Sequence, residues 1–114
     1  MHDLMIIGGG PAGLAASVYA ARKQLKALLA SVNIGGQVNN TWGVENYLGY
    51  QFIEGPELID KFHSQVSQFP IDQKIGYKVA RLEKIEGEYF VNGMIAKDLK
   101  TGANKRFEVS GVFY

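Results

Sequence analysis

"MIIGGGPAG", Met5 to Gly13, carries a strand end, a tight turn and a helix start in one short stretch. Leu4 to Ile7 is an apolar run too short for a helix and closed by glycine, which predicts a buried strand. Pro11 suits a first helical turn, and a helix from Pro11 to Lys23 places Leu14, Val18 and Ala21 on one face, with Arg22 and Lys23 at the C-terminal end of its dipole. Ala27 to Ala30 is a second apolar run. Strand, helix and strand thus follow within about thirty residues, the opening βαβ unit of a doubly wound sheet. Gly8, Gly10 and Gly13 fill G-x-G-x-x-G. The first permits the turn out of the strand, the second lets backbone approach a pyrophosphate, and the third lets helix and strand pack closely. The helix N-terminus then offers free N–H groups and a positive partial charge to phosphate.

The rest of the composition narrows the classes. A chain of 114 residues, 46% apolar and 20% charged with 14 glycines, reads as one globular domain rather than a disordered or fibrous one. Its formal charge of +1 gives no electrostatic case for nucleic acid or an acidic membrane surface. No run reaches the length of a membrane span, so a cytoplasmic, soluble protein is the expectation. The absence of cysteine excludes a disulfide, a thiolate metal site and a dithiol relay within these residues. Between Asp3 and Glu45 there is no acidic residue, while Arg22, Lys23 and Lys26 fall in that interval. That suits an anion, and it equally suits buried strands and tight turns that exclude carboxylates.

Further along, Asn33 to Gly55 reads as a long Gly/Asn-rich loop, a length usually functional or disordered. Trp42, Tyr47, Leu48, Tyr50 and Phe52 argue against disorder; the rings of Trp42 and Tyr47 suit stacking on a planar ligand, although anchoring the loop in the core is the commoner use of such residues. Glu57 to Phe69 reads as a second helix, opened by Pro56, stopped by Pro70, with Leu58, Ile59, Phe62, Val66 and Phe69 on one face. Ile75 to Leu82, Glu88 to Leu99 and Arg106 to Val109 form an antiparallel meander with "KTGANK" as a turn, followed by a short strand at Val112 to Tyr114. Other chemistry is poorly supplied. His2 and His63 lack metal-ligand spacing, Ser17 and Ser31 lack a nearby base, and neither a catalytic nor a metal-ligating set emerges.

"DLMIIGGGPAGLAASVYAARK", "IGGQVNNTWGVENYLGY" and "GPELIDKF", in that order, resemble the FAD-binding half of the low-molecular-weight thioredoxin reductase family and the related flavoprotein component of alkyl hydroperoxide reductase. The resemblance implies an α/β, Rossmann-like FAD/NAD(P)-binding domain with a parallel sheet plus an antiparallel β-meander. It implies that Gly8, Gly9, Gly10, Pro11, Ala12 and Gly13 hold the FAD pyrophosphate, that Gly36 and Gln37 lie along the flavin side, and that Asn46 hydrogen-bonds near the isoalloxazine ring. Val79, at the edge of the meander, would lie close to adenine. Without the resemblance, Gln37 and Asn46 read as residues that tie the long loop to itself.

Three positions depart from the pattern. Ser31 stands where a dinucleotide fold usually places Asp or Glu for the adenosine ribose, a weaker hydroxyl partner. Ser17 replaces a common alanine, and Gln24 replaces the glycine that usually ends the first helix. A larger departure follows Phe90: residues 1–90 follow the family's FAD domain, whereas 91–114 resemble the meander and final strand of its NADPH domain. The family's ATG segment, its second nucleotide fingerprint, its CxxC dithiol and its late Gly-Asp motif have no counterpart here, as in an internally deleted and truncated relative. The family's reaction moves a hydride from NADPH to FAD and then reduces a dithiol, with a thioredoxin-like or peroxiredoxin partner. The expectation here is an FAD-binding unit without independent turnover, FAD binding weakened or lost, and an exposed docking face through which a homodimer would form. The alternative is a small non-catalytic dinucleotide-binding or interaction module.

Overall fold

The computed structural model describes residues 1–83 and 93–113. In chain order the elements are β1 (Leu4–Gly9), α1 (Pro11–Arg22), β2 (Ala27–Ile34), a 3-10 segment (Gly36–Asn40), β3 (Gly43–Val44), β4 (Ile53–Glu54), α2 (Gly55–Val66), β5 (Asp72–Ile75), β6 (Tyr77–Glu83), β7 (Gly93–Asp98), β8 (Asn104–Glu108) and β9 (Val112–Phe113). A parallel sheet in the order β5-β2-β1-β9 forms the middle layer.

Both faces of that sheet are covered, which is why β1 and β2 read as unbroken apolar runs. Successive side chains point to opposite faces. Met5, Leu28 and Ala30 turn to one side and meet Met94, Ala96, Phe107 and Val109 of the antiparallel β6-β7-β8 sheet and its continuation. Ile6, Ala27 and Leu29 turn to the other and meet Leu14, Ala20 and Val66 of the two helices. Met5, Ile6, Leu28 and Leu29 are at most 1% exposed. Burial of each such side chain stabilises the fold by about 1.5–3 kcal/mol.

The expected strand from Ile75 to Leu82 is instead two strands in two sheets. Gly76 has φ +89, a left-handed conformation, and its N–H bonds the carbonyls of Ser31 (2.8 Å) and Val32 (3.2 Å). The chain therefore leaves β2's flank at Gly76 and swings under the parallel sheet. β6 and β7 pair in antiparallel fashion from Tyr77↔Asp98 to Glu83↔Gly93, and β7 pairs with β8 from Gly93↔Glu108 to Lys97↔Asn104. The junction at 90–91 lies outside the described residues, as does the expected strand position of Tyr114. The "KTGANK" turn closes as expected, with Gly102 N–H on the Asp98 carbonyl at 2.7 Å. β9 pairs parallel with β1 through Met5↔Val112 and Ile6↔Phe113.

The long segment after β2 is not an open loop. It contains the 3-10 segment and the small β3-β4 ladder, closed by Gly55 N–H on the Thr41 carbonyl at 3.2 Å. Trp42 does not anchor it in the core, contrary to expectation: it is 77% exposed and packs against Phe52 of the same segment, and Leu48 is 99% exposed, whereas the Tyr47 ring rests on Phe62 of α2, which packs on the helix-side core.

At the end of α1, Gln24 adopts φ +59, the conformation glycine normally supplies at that place. A non-glycine residue there costs about 1–2 kcal/mol, part of which the greater unfolded-state freedom of glycine would offset. Gln24→Gly is expected to raise stability by about 0.5–1 kcal/mol, read as an upward shift in the urea midpoint at constant slope.

Among the described residues, no helix is long and apolar enough to cross a membrane.

Candidate dinucleotide-binding site

Two glycine turns face each other at the carboxyl end of the parallel sheet. The first, Gly8 to Gly10, leaves β1; the second, Gly35 and Gly36, leaves β2. Gly35 N–H donates to the Gly9 carbonyl at 2.7 Å, and a Cβ on Gly36 would stand 3.6 Å from the Gly10 Cα. The surface between them is backbone, without side chains to hold a ligand away.

Each glycine of the fingerprint has its own reason to be there. Gly8 has φ +102, so it makes the turn. A Cβ on Gly13 would overlap the Gly8 carbonyl, so the first turn of α1 packs directly on the end of β1. Gly9, between the fingerprint positions, is as constrained: its Cβ would lie 2.7 Å from the Asn33 carbonyl oxygen and 2.9 Å from Ile34 Cδ1. Gly10 differs from both. Its Cβ would meet nothing nearer than the Gly35 carbonyl at 4.0 Å, so it faces open space.

Beside that open side, α1 starts with bare backbone. Gly10 is its N-cap, in an extended conformation with no side-chain cap, Pro11 occupies the first turn, and no acidic residue lies in that turn. Ala12 and Pro11 are exposed there. Unpaired N–H groups at an uncapped helix start, with the positive end of the dipole, favour an anion. α2 has Glu57 in its own first turn and offers no such place.

Ser31 is 8% exposed and turned toward the glycine loop. Its Oγ accepts from Gly9 N–H at 2.8 Å and donates to the Asn33 carbonyl at 2.5 Å. The residue expected at the ribose thus ties the first glycine turn to the end of β2. Asn39 helps: its Nδ2 donates to the Ile34 carbonyl at 2.6 Å. Gly35 and Asn39 were not among the expected site residues; the glycine pair in "IGGQ" is the signal that points to them.

Gln37 and Asn46 are both exposed, and among the described residues no side-chain hydrogen bond of either is found. The loop is closed by Asn39 and by backbone, which removes the reading in which Gln37 and Asn46 tie the loop to itself. Gln37 follows Gly36 directly at the cradle, while Asn46 adjoins Tyr47, which shares a groove with Pro11. Val79 is apart from them. Its partly buried side chain packs on the core beneath the meander, opposite Ala96.

The perturbed carboxylate is at the other end of the sheet. A hydrogen bond from His2 Nε2, 2.7 Å away, holds Asp72 below its ordinary value, with His2, Lys26 and Lys74 adding electrostatic support against a desolvation effect in the opposite sense. Among the described residues no group of His, Cys, Asp and Glu could hold a metal ion.

The same arrangement of sheet, helices and glycine turns occurs in known proteins, although no protein-family model matches the chain. An NADH dehydrogenase from Ferdinandcohnia aciditolerans is 36% identical over 111 residues, 91% of this chain and 21% of its own. The F component of alkyl hydroperoxide reductase from Staphylococcus epidermidis is 36% identical over 85 residues, 75% of this chain and 17% of its own. Thioredoxin reductase from Lactococcus lactis, solved in its FR conformation, superimposes with a TM-score of 0.84 at 34% identity over 98% of this chain and 34% of its own. The chain is a relative of the thioredoxin reductases and of the alkyl hydroperoxide reductase F component, matched over part of their length. It spans about a fifth of these curated relatives and a third of the solved thioredoxin reductase. The thioredoxin reductase-like fold therefore runs through the parallel sheet, both helices and the meander, with the paired glycine turns at its carboxyl end.

Proposed function

We propose that this chain is an FAD-binding unit of the thioredoxin reductase-like pyridine nucleotide-disulfide oxidoreductases, without turnover of its own. The observation that carries the reading is the paired glycine turn: packed shut at Gly9 and Gly13, open at Gly10, and set against the uncapped start of α1. A pyrophosphate needs that combination of close backbone approach and free N–H donors.

In this reading Gly8 to Gly13, with Pro11 and Ala12 at the helix start, hold the pyrophosphate. Gly36, Gln37 and Asn46 line the flavin side, where exposed amides without protein partners supply neutral hydrogen bonds. Ser31 holds the ribose end in shape through Gly9, and the adenine meets the meander near Val79 through backbone. FAD, when bound, supplies a hydride-accepting ring. The chain's own contribution is binding and orientation, since it contains no cysteine with which to pass electrons to a disulfide. The NADPH site and a thioredoxin-like or peroxiredoxin partner belong to the whole-length family reaction. A cytoplasmic location accords with that reading.

The second reading, a non-catalytic interaction module that forms a homodimer through an exposed face, draws on Trp42 and Leu48, which stand out in solvent.

The test is the visible absorption spectrum of the purified chain after incubation with FAD and desalting. The expected result is a flavin band shifted from that of free FAD and no NADPH oxidation above free flavin. A folded, colourless protein would leave the interaction reading in its place.

A further inference from the structure

The β6-β7-β8 sheet turns one face to the core and the other to solvent. Tyr77, Val79, Met94, Ala96 and Phe107 point inward, so the residues that alternate with them point outward. The pairing register sets the outward residues in rows across the sheet. Lys78, Lys97 and Asn104 form one row; Arg81, Ile95 and Arg106 form the next, a bulge between Val79 and Arg81 bringing Arg81 level with Ile95. All of these but Ile95 are exposed. In the third row Glu83 and Glu108 stand opposite Gly93.

The first row works against the fold. Like charges directly opposite on neighbouring strands repel, and Lys78 stands directly opposite Lys97. Among the described residues no ion pair reaches either ammonium. An anion seated between them, with the Asn104 amide at the end of the row, turns that repulsion into two charge-assisted hydrogen bonds. In the second row the Arg106 guanidinium leans over Gly93, where a Cβ would stand 2.5 Å from Nη2. Its ion pair with Glu108 is loose, 3.7 Å between two exposed groups, and competes weakly for an incoming carboxylate.

The spacing and size of the face select the occupant. Successive rows lie two residues apart along a strand, about 6.6 Å. An extended peptide repeats its side chains on one side at that same interval, so acids at alternate positions meet successive cationic rows. Three strands by three rows measure about 10 Å by 13 Å, far below the about 800 Å² per partner of a stable pair of domains. A single nucleic-acid strand adheres to such a surface by stacking its bases on aromatic rings, and no aromatic residue stands in these rows.

We propose that the outer face of the β6-β7-β8 sheet binds an extended acidic segment of a partner protein, with carboxylates at i and i+2 on the Lys78–Lys97 and Arg81–Arg106 rows and a neutral or basic residue at i+4, facing Glu108. The face is turned away from the parallel sheet, and its binding is independent of FAD.

The probe is the synthetic peptide acetyl-Glu-Thr-Glu-Thr-Lys-amide, with threonine in place of both glutamates as control, titrated into the intact chain and read by amide chemical shifts. The acidic peptide is expected to move Lys78, Ile95, Lys97 and Arg106 at low ionic strength and to release them at about 1 M salt, and the control to move none. Lys97→Glu should weaken binding about tenfold and at the same time raise the urea midpoint, because the acid that spoils the site gives Lys78 an opposite-charge neighbour. Lys97→Arg should keep the affinity of the natural chain. The proposal is overturned if the two peptides act alike, if Lys97→Glu leaves affinity unchanged or lowers affinity and midpoint together as a merely structural lysine would, if an oligothymidylate displaces the peptide, or if these resonances move with protein concentration alone.

Discussion

Gly13→Ala is expected to destabilise the chain by about 3 kcal/mol or more, a large share of the stability of a domain this size. Alanine is the better helix former by about 1 kcal/mol, so propensity alone predicts a gain. Packing decides otherwise. The added Cβ would overlap the Gly8 carbonyl, which is backbone and belongs to a residue already held at φ +102. Relief requires α1 to lift from β1, and α1 carries Leu14 and Ala20 of the helix-side core. The urea midpoint should fall, with bound FAD lost in proportion. An unchanged midpoint would show that α1 and β1 are not in direct contact at this turn.

Ser31→Ala should cost about 2 kcal/mol. The hydroxyl serves a buried N–H of Gly9 and the carbonyl of Asn33 at once. Removing it leaves a buried donor without a partner, at about 1–3 kcal/mol, and loosens the first glycine turn from the end of β2. If Ser31 acted only on a ribose, the protein without FAD would keep its stability and lose affinity alone. The expected result is loss of both, seen by comparing urea midpoints with and without FAD.

How much of this is legible in the sequence depends on what each signal encodes. β1, α1 and β2 are plain because apolar runs, proline and glycine punctuate them, and both faces of the sheet are buried. The Ile75 to Leu82 stretch reads as one strand because its alternation continues across Gly76; only a backbone angle separates β5 from β6. The rings of Trp42 and Phe52 mislead for another reason. Residue type reports apolar area but not whether a neighbour exists to cover it. At the site, Gly8, Gly10 and Gly13 are visible through spacing. The direction of the Ser31 hydroxyl is not, since serine at a strand end can turn toward ligand or toward backbone. Gln24 shows as a departure in sequence and reappears as the non-glycine residue with a left-handed backbone among the described residues.

The most direct test of the cradle is an FAD titration of the natural chain and of Gly10→Ala, followed by flavin fluorescence, with folding of each checked by circular dichroism. Gly10 has ordinary backbone angles, φ −77 and ψ −175, and open space where its Cβ would lie. The substitution should leave the fold within about 0.5 kcal/mol while the methyl group occupies the pyrophosphate's place, weakening FAD binding by on the order of tenfold or more. Equal FAD affinity in the two proteins would mean that the paired glycine turns do not form the dinucleotide site.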